Sequence, residues 1–258
     1  YIDRSRNYYY DELPKGLRSI VDTYYHNDGV MISTDNLIQS LVDSGVISSS
    51  AKNKNAHITR FRDHGFIDMR NMPGDSTIDY INGLLDMDSM IVDHFVKRPM
   101  YKDNSEPNIK PFVLLCCFFS RMFKVTSKSD EYYITMDECK RHLYQCQSYG
   151  DVTDTMIKEI ISDRHSGSII YSKMDDNETT NFSIWFNALK KTPLFVFTRE
   201  RERLQANFFS KSFFDYISDH AGTFEPTPVC DEKGDASLQY EYYCNRRKGI
   251  NEIFPKCI

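Results

Sequence analysis

The sequence lacks a hydrophobic run long enough to span a bilayer, has a single tryptophan, contains no Cys-x-x-Cys pair and carries no surplus of positive charge. Its longest apolar stretch, Phe112 to Phe119, is eight residues, against the roughly 20 that a transmembrane helix needs. No membrane partner is therefore expected. The seven cysteines are odd in number and include the adjacent Cys116 and Cys117, which does not make a secreted disulfide framework. With no secretory leader pattern at the start, the sequence reads as cytoplasmic, and its opening on Tyr1 reads as an excised part of a longer protein. The net charge of −5 argues against coating nucleic acid by charge alone, but leaves room for a local basic surface.

The motifs of hydrolytic chemistry are also missing. The sequence has no phosphate-binding Gly-x-x-x-x-Gly-Lys-Ser/Thr loop, no His-Glu-x-x-His and no Gly-x-Ser-x-Gly. Metal-assisted phosphodiester cleavage needs converging carboxylates, often beside a lysine. Asp231-Glu-Lys233 lacks the intervening residue of such a motif and sits in a Pro-rich stretch that reads as a turn. No catalytic residue and no metal ligand is assigned within the chain. Cys139, His142 and Cys146 share one helical face, but a structural zinc needs a fourth ligand, and only His165 is near in sequence. With Leu143 on that face, the trio reads as core.

What is present is a globular composition, 40% apolar and 27% charged with 17 Tyr and 17 Phe. After a polar lead-in over 1–11, helical spacing runs through Leu13, Leu17, Ile20, Val21 and Tyr24, with Pro14 in a first turn. Ser33 or Thr34 caps a second helix carrying Leu37, Ile38, Leu41 and Val42, which Gly45 ends. A third helix follows with Ile58 and Phe61 inward. Phe66 to Met69 reads as a strand, 71–75 as a turn, Ser76 to Tyr80 as the returning strand, and 81–96 as a helix. This is the order of a winged helix-turn-helix, whose third helix enters the major groove.

Residues 97–111 are polar with three prolines and read as a linker. Beyond it come an apolar helix from Pro111 to Phe123 and a strand over 132–134. A helix capped by Thr135 and Glu138 and another over 152–163 follow. A strand over 169–171 leads to a polar turn over 175–178, then a buried helix over 182–189 and a strand over 193–197. Thr198 reads as the cap of a helix starting at Arg199. The expected fold class is mainly α with short β-hairpins (α+β), as tandem winged helix-turn-helix-like subdomains over 12–98 and 112–258, joined by a linker at 99–111.

The strongest functional signal lies between residues 50 and 64. Lys52, Asn53, Lys54, Asn55, His57, Thr59, Arg60 and Arg62 place donors and amides along one short helix. Arginine reads guanine with two bonds and asparagine reads adenine, while lysine and threonine hold phosphates. From 50 to 70 there are five Lys/Arg, Arg70 included, against Asp63 and Asp68, a local +3. A solvated charged face accounts for the same residues without any function. A second basic stretch comprises Lys190, Lys191, Arg199, Arg201, Arg203 and Lys211, diluted by Glu200 and Glu202, and is offered as a backbone contact. Asn245-Arg-Arg-Lys248 is a third, short cluster.

Thr59-Arg-Phe-Arg-Asp-His-Gly-Phe-Ile-Asp68 and Ser76-Thr-Ile-Asp-Tyr-Ile-Asn-Gly-Leu-Leu85 are followed in order by four further segments. These are Lys97-Arg-Pro99, Asn108-Ile-Lys-Pro-Phe112, Tyr133-Ile-Thr-Met-Asp-Glu138 and Ile184-Trp-Phe-Asn-Ala-Leu-Lys-Lys-Thr-Pro-Leu-Phe195. Together, over about 12–215, they resemble the DNA-recognition half of type IIS restriction endonucleases and related nicking enzymes. The resemblance implies tandem winged-helix subdomains gripping double-stranded DNA. It also implies a separate C-terminal cleavage domain of the Asp/Glu-x-Lys type, which alone takes Mg²⁺. This chain departs from the family in having no counterpart of that motif, so it is expected to be a recognition portion without a cofactor of its own, partnered by a nuclease domain or subunit. A winged-helix protein-interaction module and a complete nuclease with an unrecognised site remain alternatives.

Overall fold

A computed structural model describes residues 9–63, 66–68, 70–97, 109–167, 176–199 and 202–223, for a few of them, Arg60 among these, the backbone alone. They fall into two units, 9–97 and 109–223. The described residues are mainly helical with one small three-stranded antiparallel sheet, an α+β architecture.

The first unit is built from α1 (Tyr9–His26), α2 (Thr34–Asp43), α3 (Asn55–Asp63), α4 (Asp75–Ile81) and α5 (Met87–Lys97). Leu13, Leu17, Ile20 and Val21 form the buried face of α1, at the spacing an amphipathic helix requires. Helix α1 packs on α2 and α2 on α3, and Leu37 and Leu41 of α2 and Ile58 and Phe61 of α3 are buried as well. A Cβ at Gly16 of α1 would lie 2.8 Å from the tip of the Phe61 ring, so any larger residue there forces that ring to shift. Helix α2 is closed at both ends. The Ser33 hydroxyl accepts from the Asn36 amide at 3.2 Å. At the other end Gly45, at φ +73°, donates to the Val42 carbonyl at 2.9 Å while Val46 donates to that of Leu41, also at 2.9 Å, the double cap that a left-handed glycine permits.

Several sequence expectations for this unit need correction. Helix α1 begins at Tyr9, within the expected lead-in, and Pro14 lies inside it rather than at its first turn. In place of the expected hairpin there is a small loop. Ile67 bridges Pro73, and two backbone bonds close the loop, Asp68 to the Met72 carbonyl at 2.9 Å and Gly74 to that of Phe66 at 3.0 Å. The expected returning strand, Ser76 to Tyr80, is helical and belongs to α4. Asp75 in its first turn suits the helix dipole, and the buried Ser76 hydroxyl donates to Asp93 of α5 at 2.5 Å. The single expected helix over 81–96 is broken by Gly83 at φ +73° and restarts at Met87.

In the second unit α6 (Pro111–Val125) is apolar nearly all round, as a helix surrounded by protein must be. The further helices are α7 (Met136–Arg141), α8 (Asp154–Ser166), α9 (Asp176–Leu189) and α10 (Lys211–Asp219), of which α8 and α10 pack directly against α6. Phe119 is the hub of the core: its ring centroid lies 5.4 Å from Phe214 and 5.7 Å from Phe195, edge-on to the latter. Strands β1 (Tyr133–Thr135), β2 (Phe195–Val196) and β3 (Arg203–Ala206) pair in the order β1-β3-β2. Ile134 faces Leu204 and Phe195 faces Ala206 in the register, and all four side chains are buried.

Here too the sequence reading is corrected twice. Thr198 caps no helix among the described residues, because Arg203–Ala206 is a strand that alternates half-buried and buried positions. Asp176 and Glu178, within the turn expected over 175–178, instead lie in the first turn of α9, where negative charge is favourable. The expected strand over 169–171 and most of the linker lie outside the described residues.

Candidate nucleic-acid interface

Helix α3 presents its arc outward. Ile58 and Phe61 are buried in the core, while Asn55, the first residue of the helix, and Thr59 are exposed together with Lys52 and Asn53 just ahead of the first turn. Lys54, His57 and Arg62 are half-buried. The side chain of Arg60 is outside the described residues.

Local bonds already engage part of this set. Asn53 Oδ1 accepts from the Ala56 amide at 3.2 Å, capping the helix, which leaves the carboxamide nitrogen as the donor facing outward. Thr59 Oγ1 donates to the Asn55 carbonyl at 3.2 Å, fixing its rotamer on the exposed arc. Arg62 Nη2 donates to Asn71 Oδ1 at 2.6 Å. Asn71 Nδ2 in turn donates to the Ile32 carbonyl at 2.8 Å and to Thr34 Oγ1 at 3.4 Å.

The small loop after α3 is organised by Asp68, whose side chain is 2% exposed. Its Oδ1 accepts from the Arg70 and Met72 amides at 2.8 and 2.9 Å, and Oδ2 accepts from Arg70 Nε at 2.9 Å. Arg70 therefore reaches the surface as one half of an ion pair, and among the described side chains the cationic character of the region is carried by Lys52, Lys54 and Arg62. Asn71, buried at φ +62°, adopts the left-handed conformation that asparagine tolerates better than most residues.

The second basic stretch is dispersed. Lys190, expected on a cationic surface, is 4% exposed. Its amide closes α9 by donating to the Phe186 carbonyl at 2.9 Å. Lys191 is half-buried and Arg199 is exposed. Arg203 lays its guanidinium 3.7 Å from the centre of the Tyr133 ring and donates to the Asp130 carbonyl at 3.1 Å. Arg164 lies 3.8 Å from the same centre. Two guanidinium groups that close must occupy opposite faces, so Tyr133 is sandwiched between cations. Lys211 pairs with Asp215 along α10. Arg201, the 245–248 cluster and the 231–233 segment lie outside the described residues.

Cys139 and Cys146 are buried, as are Cys116 and Cys117. Burial pushes the Cys139 thiol well up, reinforced by Glu138, and burial with Arg141 alongside holds the His142 imidazole below its ordinary range. Among the described residues no group of three His, Cys, Asp or Glu side chains can hold a metal ion, and no helix is long and apolar enough to cross a membrane.

Two features escaped the sequence. Asn71 was visible only as part of a turn. The aromatic surface at the β2–β3 hairpin and just beyond it, with Phe197 72% and Phe209 93% exposed, gives no signal in the sequence, because most of the described phenylalanines are core. No protein-family model and no curated protein matches the chain.

Proposed function

We propose that the chain binds double-stranded DNA in a sequence-specific manner, as the recognition portion of a restriction endonuclease or restriction system whose cleavage site lies outside these residues. The observation that carries the reading is the exposed arc of α3. Asn55 and Thr59 stand one helical turn apart with Lys52 and Asn53 ahead of them, on a helix that follows the capped turn between α2 and α3. A helix entering the major groove offers this combination, with amide and hydroxyl groups to base edges and lysine to flanking phosphates.

Element order supports a winged-helix reading of both units. In the first, three helices precede the two-bond loop at 66–74. In the second, β1 precedes α7 to α9, the β2–β3 hairpin follows, and β3 lies at the centre of the sheet. The exposure of Arg199 between β2 and β3 supports a contact to the DNA backbone there. A second reading, a protein-interaction module, is favoured by the exposed Phe197, Phe208 and Phe209, since large solvent-facing aromatics are characteristic of protein interfaces.

Electrophoretic mobility shift with mixed duplexes across a salt series separates the two. DNA binding through several phosphates weakens steeply as salt rises, and a Lys52→Ala/Lys54→Ala variant should lower the log–log slope by about 2. Complexes indifferent to salt, or an Asn55→Ala/Thr59→Ala variant with its full sequence preference, contradict the proposal.

A further inference from the structure

We propose that Asn71 is a positioning residue for DNA readout and that Arg62 is the strut it holds, not a reader of bases. The inference rests on the DNA-binding reading of α3 and assigns work within it.

Arg62 lies in the last turn of α3, Asn71 in the loop after it, and Ile32 and Thr34 at the start of α2. One carboxamide joins all three. Its oxygen accepts from Arg62 at 2.6 Å, while its nitrogen donates to the Ile32 carbonyl at 2.8 Å and to Thr34 at 3.4 Å. Both ends of the amide are used in the only sense their chemistry allows. Asn71 is 3% exposed, so swinging Arg62 out to a base would leave a buried acceptor without that donor, which is unfavourable. The left-handed backbone at φ +62° turns the side chain inward between the helices. The result fixes the end of α3 against the start of α2. A recognition helix must be held to within about half an ångström of its productive pose, and the exposed Asn55 and Thr59 are the groups so held.

The test is selection from a randomised duplex pool with the wild type and four variants, alongside thermal unfolding of each. Asn71→Gly removes the amide yet tolerates positive φ. Arg62→Ala removes the donor. The third variant combines the two. Arg62→Lys keeps the reach, the charge and one donor, but cannot make the two-bonded guanine contact.

The strut predicts that Arg62→Ala and Asn71→Gly lose discrimination at the same base pairs, by about ten- to hundredfold, the scale of a base contact. The double variant should be no worse than either single, and Arg62→Lys should keep the wild-type profile. The proposal is overturned if Arg62→Lys and Arg62→Ala both lose one base pair while Asn71→Gly keeps the wild-type profile. It is equally overturned if every variant keeps that profile while melting earlier, because the pair is then merely structural. If the wild type selects no duplex at all, the DNA reading and the positioning role built on it fall together. The unfolding series still judges the strut: equal losses in singles and double retain it, and additive losses remove it.

Discussion

Replacing Glu138 by glutamine tests how the second unit is held. The Glu138 carboxylate accepts from Arg164 Nε at 2.6 Å and Nη2 at 2.8 Å, and also from the Thr135 amide at 2.8 Å. The Thr135 hydroxyl accepts from the Glu138 amide at 3.2 Å, completing the box that starts α7. Arg164 reaches further, donating to the Glu131 and Tyr133 carbonyls at 3.0 and 2.7 Å, so one ion pair ties α8 to α7 and β1. The two side chains are only 7% and 9% exposed. Glutamine keeps the shape and leaves the guanidinium buried without a counter-charge. Breaking a buried pair on one side is destabilising by about 3–5 kcal/mol. Spread over a domain of this size, that lowers the midpoint of its unfolding by roughly 10–20 °C, measured by differential scanning calorimetry. Because removing both charges together is often neutral, Glu138→Gln/Arg164→Met should recover part of the loss. A single variant within about 0.5 kcal/mol of wild type, the range of an ordinary surface change, would refute the reasoning.

Gly16→Leu should destabilise the first unit by about 1–3 kcal/mol, read by chemical denaturation, because the Phe61 ring already stands 2.8 Å from where its Cβ would be. Stability should fall as pH drops from 7.5 towards 5.5. The folded state holds His142 below its ordinary 6.5, so the unfolded chain takes up the proton first and is favoured below that value. His142→Gln should flatten this slope, and an unchanged slope excludes His142 as its source. Arg60→Ala should lose roughly 1–3 kcal/mol of DNA binding and relax preference at one base pair, checked by competition with single-substitution duplexes.

Local chemistry was legible in the sequence wherever it was strong. The apolar run after Pro111 is a buried helix, the Thr135 and Glu138 pair is a reciprocal cap, and Gly45 ends α2. Errors arose where local preference opposed tertiary contacts. Thr77, Ile78 and Tyr80 favour strand, yet the Ser76–Asp93 bond and the fit of α4 against α1 hold this segment helical. The break at 82–86 carried its own signal, since Asn82-Gly83 suits a helix end and Asp86 caps the next helix through the Ser89 amide at 2.7 Å. Alternating Arg and Glu over 199–203 mimics a charged helix face, while Leu204 and Ala206 carry the period of two that makes β3.

Within the candidate site, the inward place of Ile58 and Phe61 was legible, while Lys54, His57 and Arg62, expected on the exposed arc, are half-buried. The Arg62–Asn71–Ile32 connection was not legible. It joins residues 39 positions apart and depends on a backbone conformation that asparagine only permits. Lys190 shows the reverse error, a cation whose place at the end of α9 buries it.

The most direct measurement is the affinity of the wild-type chain for its selected duplex against a scrambled duplex of equal length and composition, at one fixed salt concentration. The account predicts at least about a thousandfold preference, the lower end for sequence-specific proteins. Equal affinity for both duplexes, or no complex with either at low salt, would contradict it.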